Sequence, residues 1–174
     1  AVKIDTALST IEKRNPVLQG ALPDNYFSRQ NLEVKKLASL IDSIENIDTL
    51  ANAPQRLIAA GFGDMIGKYT SQADWKIGSL VWDEPYDPAI AKRVQASIDA
   101  VVENAEAIGK HTPEGVRVLM DALIESGLCM LDFGQSRPAS GAEHHASHYW
   151  EMQRMKAHGA SMLHGAQVGY ALTL

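Results

Sequence analysis

Residues 87–131 read DPAIAKRVQASIDAVVENAEAIGKHTPEGVRVLMDALIESGLCML, and the same helix-start signal occurs in them twice. Asp87-Pro88 and Thr112-Pro113 each supply an oxygen-bearing cap followed by a first-turn proline, whose missing N–H is of no consequence there. The first signal predicts a helix to about Ile108 and the second a helix to about Leu131. Downstream, FGQSRPA (133–139) reads as a loop. Ser140 and Glu143 then have capping-box spacing, which opens a helix through about Lys156, and a last helix starts near Ser161. Upstream, Arg56–Ala60 and Asp64–Gly78 read as two helices separated by Gly61-Phe62-Gly63. The stretch DTLANAPQ (48–55) is the best candidate boundary. Before it, Val2–Arg14 reads as a helix, 15–31 as a structured loop and Glu33–Glu45 as an amphipathic helix with Leu37, Leu40, Ile41 and Ile44 on one face. Alternating β-branched runs are scarce, so the expected class is all-α: a helical bundle over 53–174 with an additional helical segment over 1–52.

The 174 residues suffice for one ordinary domain or two small ones. A net charge of −5 lacks the basic stripe that nucleic acid demands, so no nucleic-acid partner is expected. The single cysteine, Cys129, excludes an internal disulfide framework and any four-cysteine zinc site. It lies in an apolar run and reads as a buried structural thiol. No apolar run approaches the roughly 18 residues of a membrane helix, and charge interrupts the N-terminus too densely for a signal-peptide core. A cytoplasmic location is the expectation. The chain starts at Ala1 without methionine, consistent with a fragment.

Five of the six histidines fall between positions 144 and 164. His144 and His148 share a helix face, whereas His145 points about a hundred degrees away. A short turn near His158-Gly159 allows His164 to return opposite His144. Two imidazoles suit zinc, nickel or iron, but a stable site needs a third protein ligand. Asp64, beside two glycines, is the candidate; the competing reading is a helix-start charge favoured by the macrodipole. Packed or surface histidines are the alternative for the cluster. Lys68 and Lys76 read as solvated helix lysines rather than phosphate ligands. Trp75, Trp82 and Trp150 read as core or interface anchors, and Tyr26-Phe27 as a tether for its loop. No G-x-S-x-G turn is present, which argues against a serine hydrolase.

The stretches APQRLIAAGFGDMIGKYTSQADWKIG, SGAEHHASHYWEM and LHGAQVG, which lie between 53 and 169, resemble the sn-glycerol-1-phosphate dehydrogenases of the iron-alcohol-dehydrogenase and dehydroquinate-synthase superfamily. The resemblance implies the family's metal-binding C-terminal helical domain. It also implies a zinc or nickel site made by Asp64, His144 and His164, with His148 and Asp64 facing the substrate. The implied chemistry is NAD(P)-dependent interconversion of glycerol 1-phosphate and dihydroxyacetone phosphate, the metal polarising the substrate's alcohol as a Lewis acid. Ala142 and Ala166 stand where the family's SEH and HGEQ motifs have Ser and Glu. The family's glycine-rich nucleotide motif is absent, so a chain that is weak or inactive alone is expected.

A second likeness covers residues 3–51. There IEKRNPVLQGALPDNYFSRQNLEVKKLASLIDSIENIDTLA is similar to a helical segment of the modification subunit of type I restriction systems, an adenine-N6 DNA methyltransferase. That family's methyl-donor and NPP[FY] motifs are absent. The two likenesses together imply a chimera. The alternative to the enzyme is a non-enzymatic, shuffled helical interaction module, with homo-oligomers favoured by an exposed apolar face.

Overall fold

The computed structural model describes residues 47–174. The expected helices at 2–14 and 33–45, the loop at 15–31 with its Tyr26-Phe27 tether, and most of the restriction-subunit likeness lie outside the described residues. Within them every regular element is a helix: α1 (Ile47–Ala51), α2 (Gln55–Val81), α3 (Pro88–Glu103), α4 (Ala105–Gly109), α5 (Pro113–Phe133), α6 (Ala142–Lys156) and α7 (His164–Ala171). Residues Leu50–Leu174 form one compact unit, and the class is all-α.

Both proline-marked starts form as local chemistry dictates. The Asp87 carboxylate accepts from the N–H groups of Ala89 and Ile90 at 2.8 and 3.2 Å. The Thr112 hydroxyl accepts from Gly115 N–H at 3.1 Å. Each bond satisfies a helix-end donor that would otherwise lack a partner. Gly134, at φ 77°, ends α5 in the left-handed conformation open to glycine.

Three local expectations are corrected. The helix from Asp87 ends at Glu103 rather than Ile108, because Asn104 turns its side-chain amide back onto the Ala100 carbonyl at 2.9 Å. Ser140 does not cap α6: Gly141 occupies the cap, and the Asp74 carboxylate of α2 accepts from Ala142 N–H at 2.7 Å. Glu143, the second residue of α6, reaches back to accept from Gly141 N–H at 2.9 Å, so the expected capping box of Ser140 and Glu143 does not form. The third correction has the largest effect on the site. Gly61-Phe62-Gly63 does not break the chain, and α2 runs through it as one 27-residue helix.

The reason is packing. A Cβ on Gly63 would lie 2.6 Å from the Gly165 carbonyl oxygen, and one on Gly169 would lie 3.0 Å from Gly63 Cα. These glycines let the backbones of α2 and α7 touch, and that gain outweighs their poor helix propensity of about 1 kcal/mol each. The pair α2–α7 has the most extensive helix contact in the unit, followed by α3–α5. The core joins Met65 and Trp75 of α2 to Val94, Ile98 and Val101 of α3, Val116 and Leu119 of α5, and Val168 of α7. Trp75 is fully buried between Tyr86 and Phe133, and its indole N–H donates to the Pro85 carbonyl at 2.8 Å. Trp150 stacks obliquely on Tyr170, whereas Trp82 is exposed at the end of α2 and is no part of the core. Arg93 ties α3 to α5 by pairing with Glu125 and Asp132, each at 2.7 Å.

Candidate metal centre

Asp64, His144 and His164 converge from three helices. Asp64 sits in the third turn of α2, so the helix-start reading of its charge is overturned: the uninterrupted helix places it far from the N-terminal dipole. His144 lies in the first turn of α6, and His164 opens α7. His144 Nε2 is 3.5 Å from Asp64 Oδ1, and His164 Nε2 is 3.8 Å from the same oxygen. One ligand atom from each residue falls within 4.8 Å of the other two. The glycine contact between α2 and α7 produces this, since His164 precedes Gly165. Arg154 of α6 is hydrogen-bonded to the buried Gln167 of α7, which ties the two histidine-bearing helices together.

A hard carboxylate oxygen and two imidazole nitrogens form the donor set that zinc and other first-row divalent ions accept, with positions left for substrate. The surroundings are consistent with such an ion. His144 is nearly buried, and its Nδ1 lies 2.6 Å from Glu143 Oε1, which directs Nε2 toward Asp64. Histidine ligands of metals ordinarily have such an outer partner.

Lys68 corrects the expectation of a solvated lysine. It is 2% exposed, and its ammonium donates to Asp64 Oδ2 at 2.8 Å, one helical turn along α2. Lys76 is exposed, with its ammonium 4.5 Å from the centre of the Tyr86 ring. Burial opposes ionisation of Asp64, but hydrogen bonds from His144 and Lys68 and the Lys68 charge outweigh it and hold the carboxyl at about 2. For His144, burial works against the charged ring, yet its bonds to Asp64 and Glu143 raise its pKa above the usual histidine value. His164 moves the other way, lowered by burial and by the neighbouring His144.

His148 is exposed on the open side of the cluster. Its ring centre is 5.3 Å from that of His164 and 6.2 Å from that of His144. His148, Glu151 and His164 make a second possible ligand group, which shares His164 with the first. His111, His145 and His158 belong to neither group among the described residues. Sequence reasoning missed Lys68, Glu143 and Glu151 as members of this neighbourhood. Glu143 had a usable signal in its adjacency to His144, and Glu151 in its i,i+3 spacing from His148. Cys129 is a buried thiol, as expected, and burial raises it to about 11.

No family model matches the chain. Among curated proteins, it is 49% identical over 129 residues to the glycerol-1-phosphate dehydrogenase [NAD(P)+] of Halalkalibacterium halodurans, covering 74% of this chain and 32% of that one. The Bacillus subtilis enzyme of the same name is 47% identical over 149 residues, 86% of this chain and 37% of the relative. That of Aeropyrum pernix is 43% identical over 129 residues, 72% and 35%. The chain thus spans about a third of the length of the curated relatives it matches. The B. subtilis match extends into the segment before residue 53, because 149 aligned residues do not fit between 53 and 174. No helix among the described residues is long and apolar enough to cross a membrane.

Proposed function

We propose that residues 53–174 are the metal-holding part of a glycerol-1-phosphate dehydrogenase-like oxidoreductase that interconverts glycerol 1-phosphate and dihydroxyacetone phosphate with NAD(P). The observation behind this reading is the meeting of Asp64, His144 and His164 in a chain that is nearly half identical, over 129 residues, to an enzyme of that name. A zinc or nickel ion held by these three residues supplies Lewis acidity toward the substrate oxygen. The protein's own contributions follow from the charges around the site. Lys68 neutralises Asp64 and fixes the direction of its carboxylate, Oδ2 toward the ammonium and Oδ1 toward the two imidazoles. His148 stands on the open side, where it accepts or returns the proton of the substrate hydroxyl. The 174 residues contain no glycine-rich nucleotide motif, so the chain alone turns over weakly or not at all.

The test is metal content by elemental mass spectrometry after dialysis against trace zinc and nickel, for the wild type and for Asp64→Ala, His144→Ala and His164→Ala. Near-stoichiometric metal in wild type, lost in each variant, is the expected result. It leads to assays of dihydroxyacetone phosphate reduction with NADH and NADPH. A folded wild-type chain without metal defeats the reading.

A second reading is supported by the end of α2, where Ile77, Leu80, Val81 and Trp82 are all more than half exposed. An apolar surface of this kind suits a non-enzymatic interaction module or homo-oligomer, with residues 1–52 pairing with another chain. Light scattering tests the homo-oligomer: a monomer at all concentrations removes self-association.

A further inference from the structure

We propose that Glu143 is a positioning residue for the metal centre: its buried carboxylate holds the His144 proton on Nδ1 and so presents the Nε2 lone pair to the cation. The inference rests on the metal-holding reading above and deepens it, giving the Glu143 contact with His144 a testable consequence for cation binding.

Glu143 is 3% exposed. Its Oε1 contacts His144 Nδ1 at 2.6 Å and accepts from Gly141 N–H at 2.9 Å. Two glycines confine it. A Cβ on Gly67 would come within 3.2 Å of Glu143 Cγ, and one on Gly141 within 2.9 Å of Oε2. The second oxygen, Oε2, is buried without a hydrogen-bond partner among the described residues, as is the Ser147 hydroxyl one turn along α6. A carboxylate kept dry and half-satisfied carries a desolvation cost that a neutral amide of the same shape avoids. Closing the helix start at Gly141 does not require the charge, since a glutamine oxygen accepts the same bond. The charge has a use on the His144 side. There the ring's far nitrogen faces Asp64 at 3.5 Å, and a cation bound between them is balanced through the imidazole by the carboxylate behind it.

The experiment uses the full 174-residue chain. Nitrogen-15 NMR of the histidine rings in the metal-free wild type, at about pH 9 where imidazoles are neutral, is expected to show the His144 proton on Nδ1. Glu143→Gln is expected to keep the wild-type circular dichroism and an unfolding midpoint no lower than wild type. Its zinc affinity, measured by chelator competition, falls roughly 10- to 100-fold, and its cobalt(II) absorption bands shift. A His144 proton on Nε2, or a Glu143→Gln protein with wild-type zinc affinity, overturns the inference and leaves the metal reading standing. A folded wild type that binds no zinc overturns both. The tautomer is read on the unsubstituted chain, so a variant that fails to fold still leaves that decision open to measurement.

Discussion

Replacing Gly165 with alanine tests whether the approach of α7 to α2 makes the site. The added Cβ would lie 2.0 Å from the Ala60 carbonyl oxygen, 2.7 Å from the Ala60 carbonyl carbon and 3.1 Å from Asp64 Cβ. Contacts below 3.0 Å essentially do not occur for real Cβ atoms, so the helices must separate by at least about 1 Å. The obstructing atoms are backbone and cannot be relieved by a rotamer change, which puts the stability loss at the upper end of overpacking, about 3 kcal/mol. His164 moves with its neighbour. It already stands 3.8 Å from Asp64 Oδ1, and a further ångström removes it from any ion bonded to Asp64 at about 2.1 Å. The expected result is a lower urea midpoint and loss of most zinc affinity in chelator competition, with helix content retained. Gly127→Ala in α5 is the control. Among the described residues nothing lies within 4 Å of its Cβ, and the change is expected to raise stability by up to about 1 kcal/mol. Wild-type stability and wild-type zinc affinity in Gly165→Ala would refute the argument that backbone contact sets the ligand geometry.

Lys68→Met leaves the Asp64 charge without its buried partner. It is expected to cost about 2 kcal/mol in urea unfolding of the metal-free chain, below the ~3–5 kcal/mol of a fully enclosed pair because Asp64 keeps 19% of its side chain open. The same pair sets an acid limit. Asp64 is depressed from 3.8 to about 2, so its contribution is fully present above 3.8 and is lost as pH falls through about 2. In acid titrations of the metal-free chain, this part of the decline should shrink in Lys68→Met. Cys129 shows the opposite sign. Its thiol is raised from 9.0 to about 11, so the folded state favours the neutral form and stability falls as pH climbs between those values. In the native chain at pH ~8, iodoacetamide should label Cys129 far more slowly than in urea, and equal rates would contradict its burial.

Features decided within a few residues were legible in the sequence. Asp87-Pro88 and Thr112-Pro113 begin helices because the cap and the groups it satisfies are sequence neighbours. The histidine cluster was legible in local spacing and Asp64 was a candidate from its flanking glycines, but joining them rested on the resemblance, since 80 residues separate Asp64 from His144. Gly61-Phe62-Gly63 was misread because glycine breaks and glycine contacts look alike until the second backbone is present. Lys68 was misread for a related reason. A lysine on a helix reads as solvated, and its burial is visible only in the folded unit. The cap of α6 comes from Asp74, 68 residues away, and no local pattern announces it.

The joint between α2 and α7 also bears on which ions the proposed site would accept. Where side chains separate two helices, a ligand of the wrong size is accommodated by small rotations about many bonds. Here Gly63, Gly165 and Gly169 bring main chain against main chain, and these residues have no side-chain torsions to adjust. Such a joint is stiff, and it transmits strain to Asp64 and His164 instead of absorbing it. Ions that bond at about 2.0–2.2 Å fit between fixed ligands of this spacing, whereas calcium, at about 2.3–2.6 Å and with six or more oxygens, requires a cage that can expand. In the metal centre proposed above, selectivity would then come from rigidity as much as from donor chemistry.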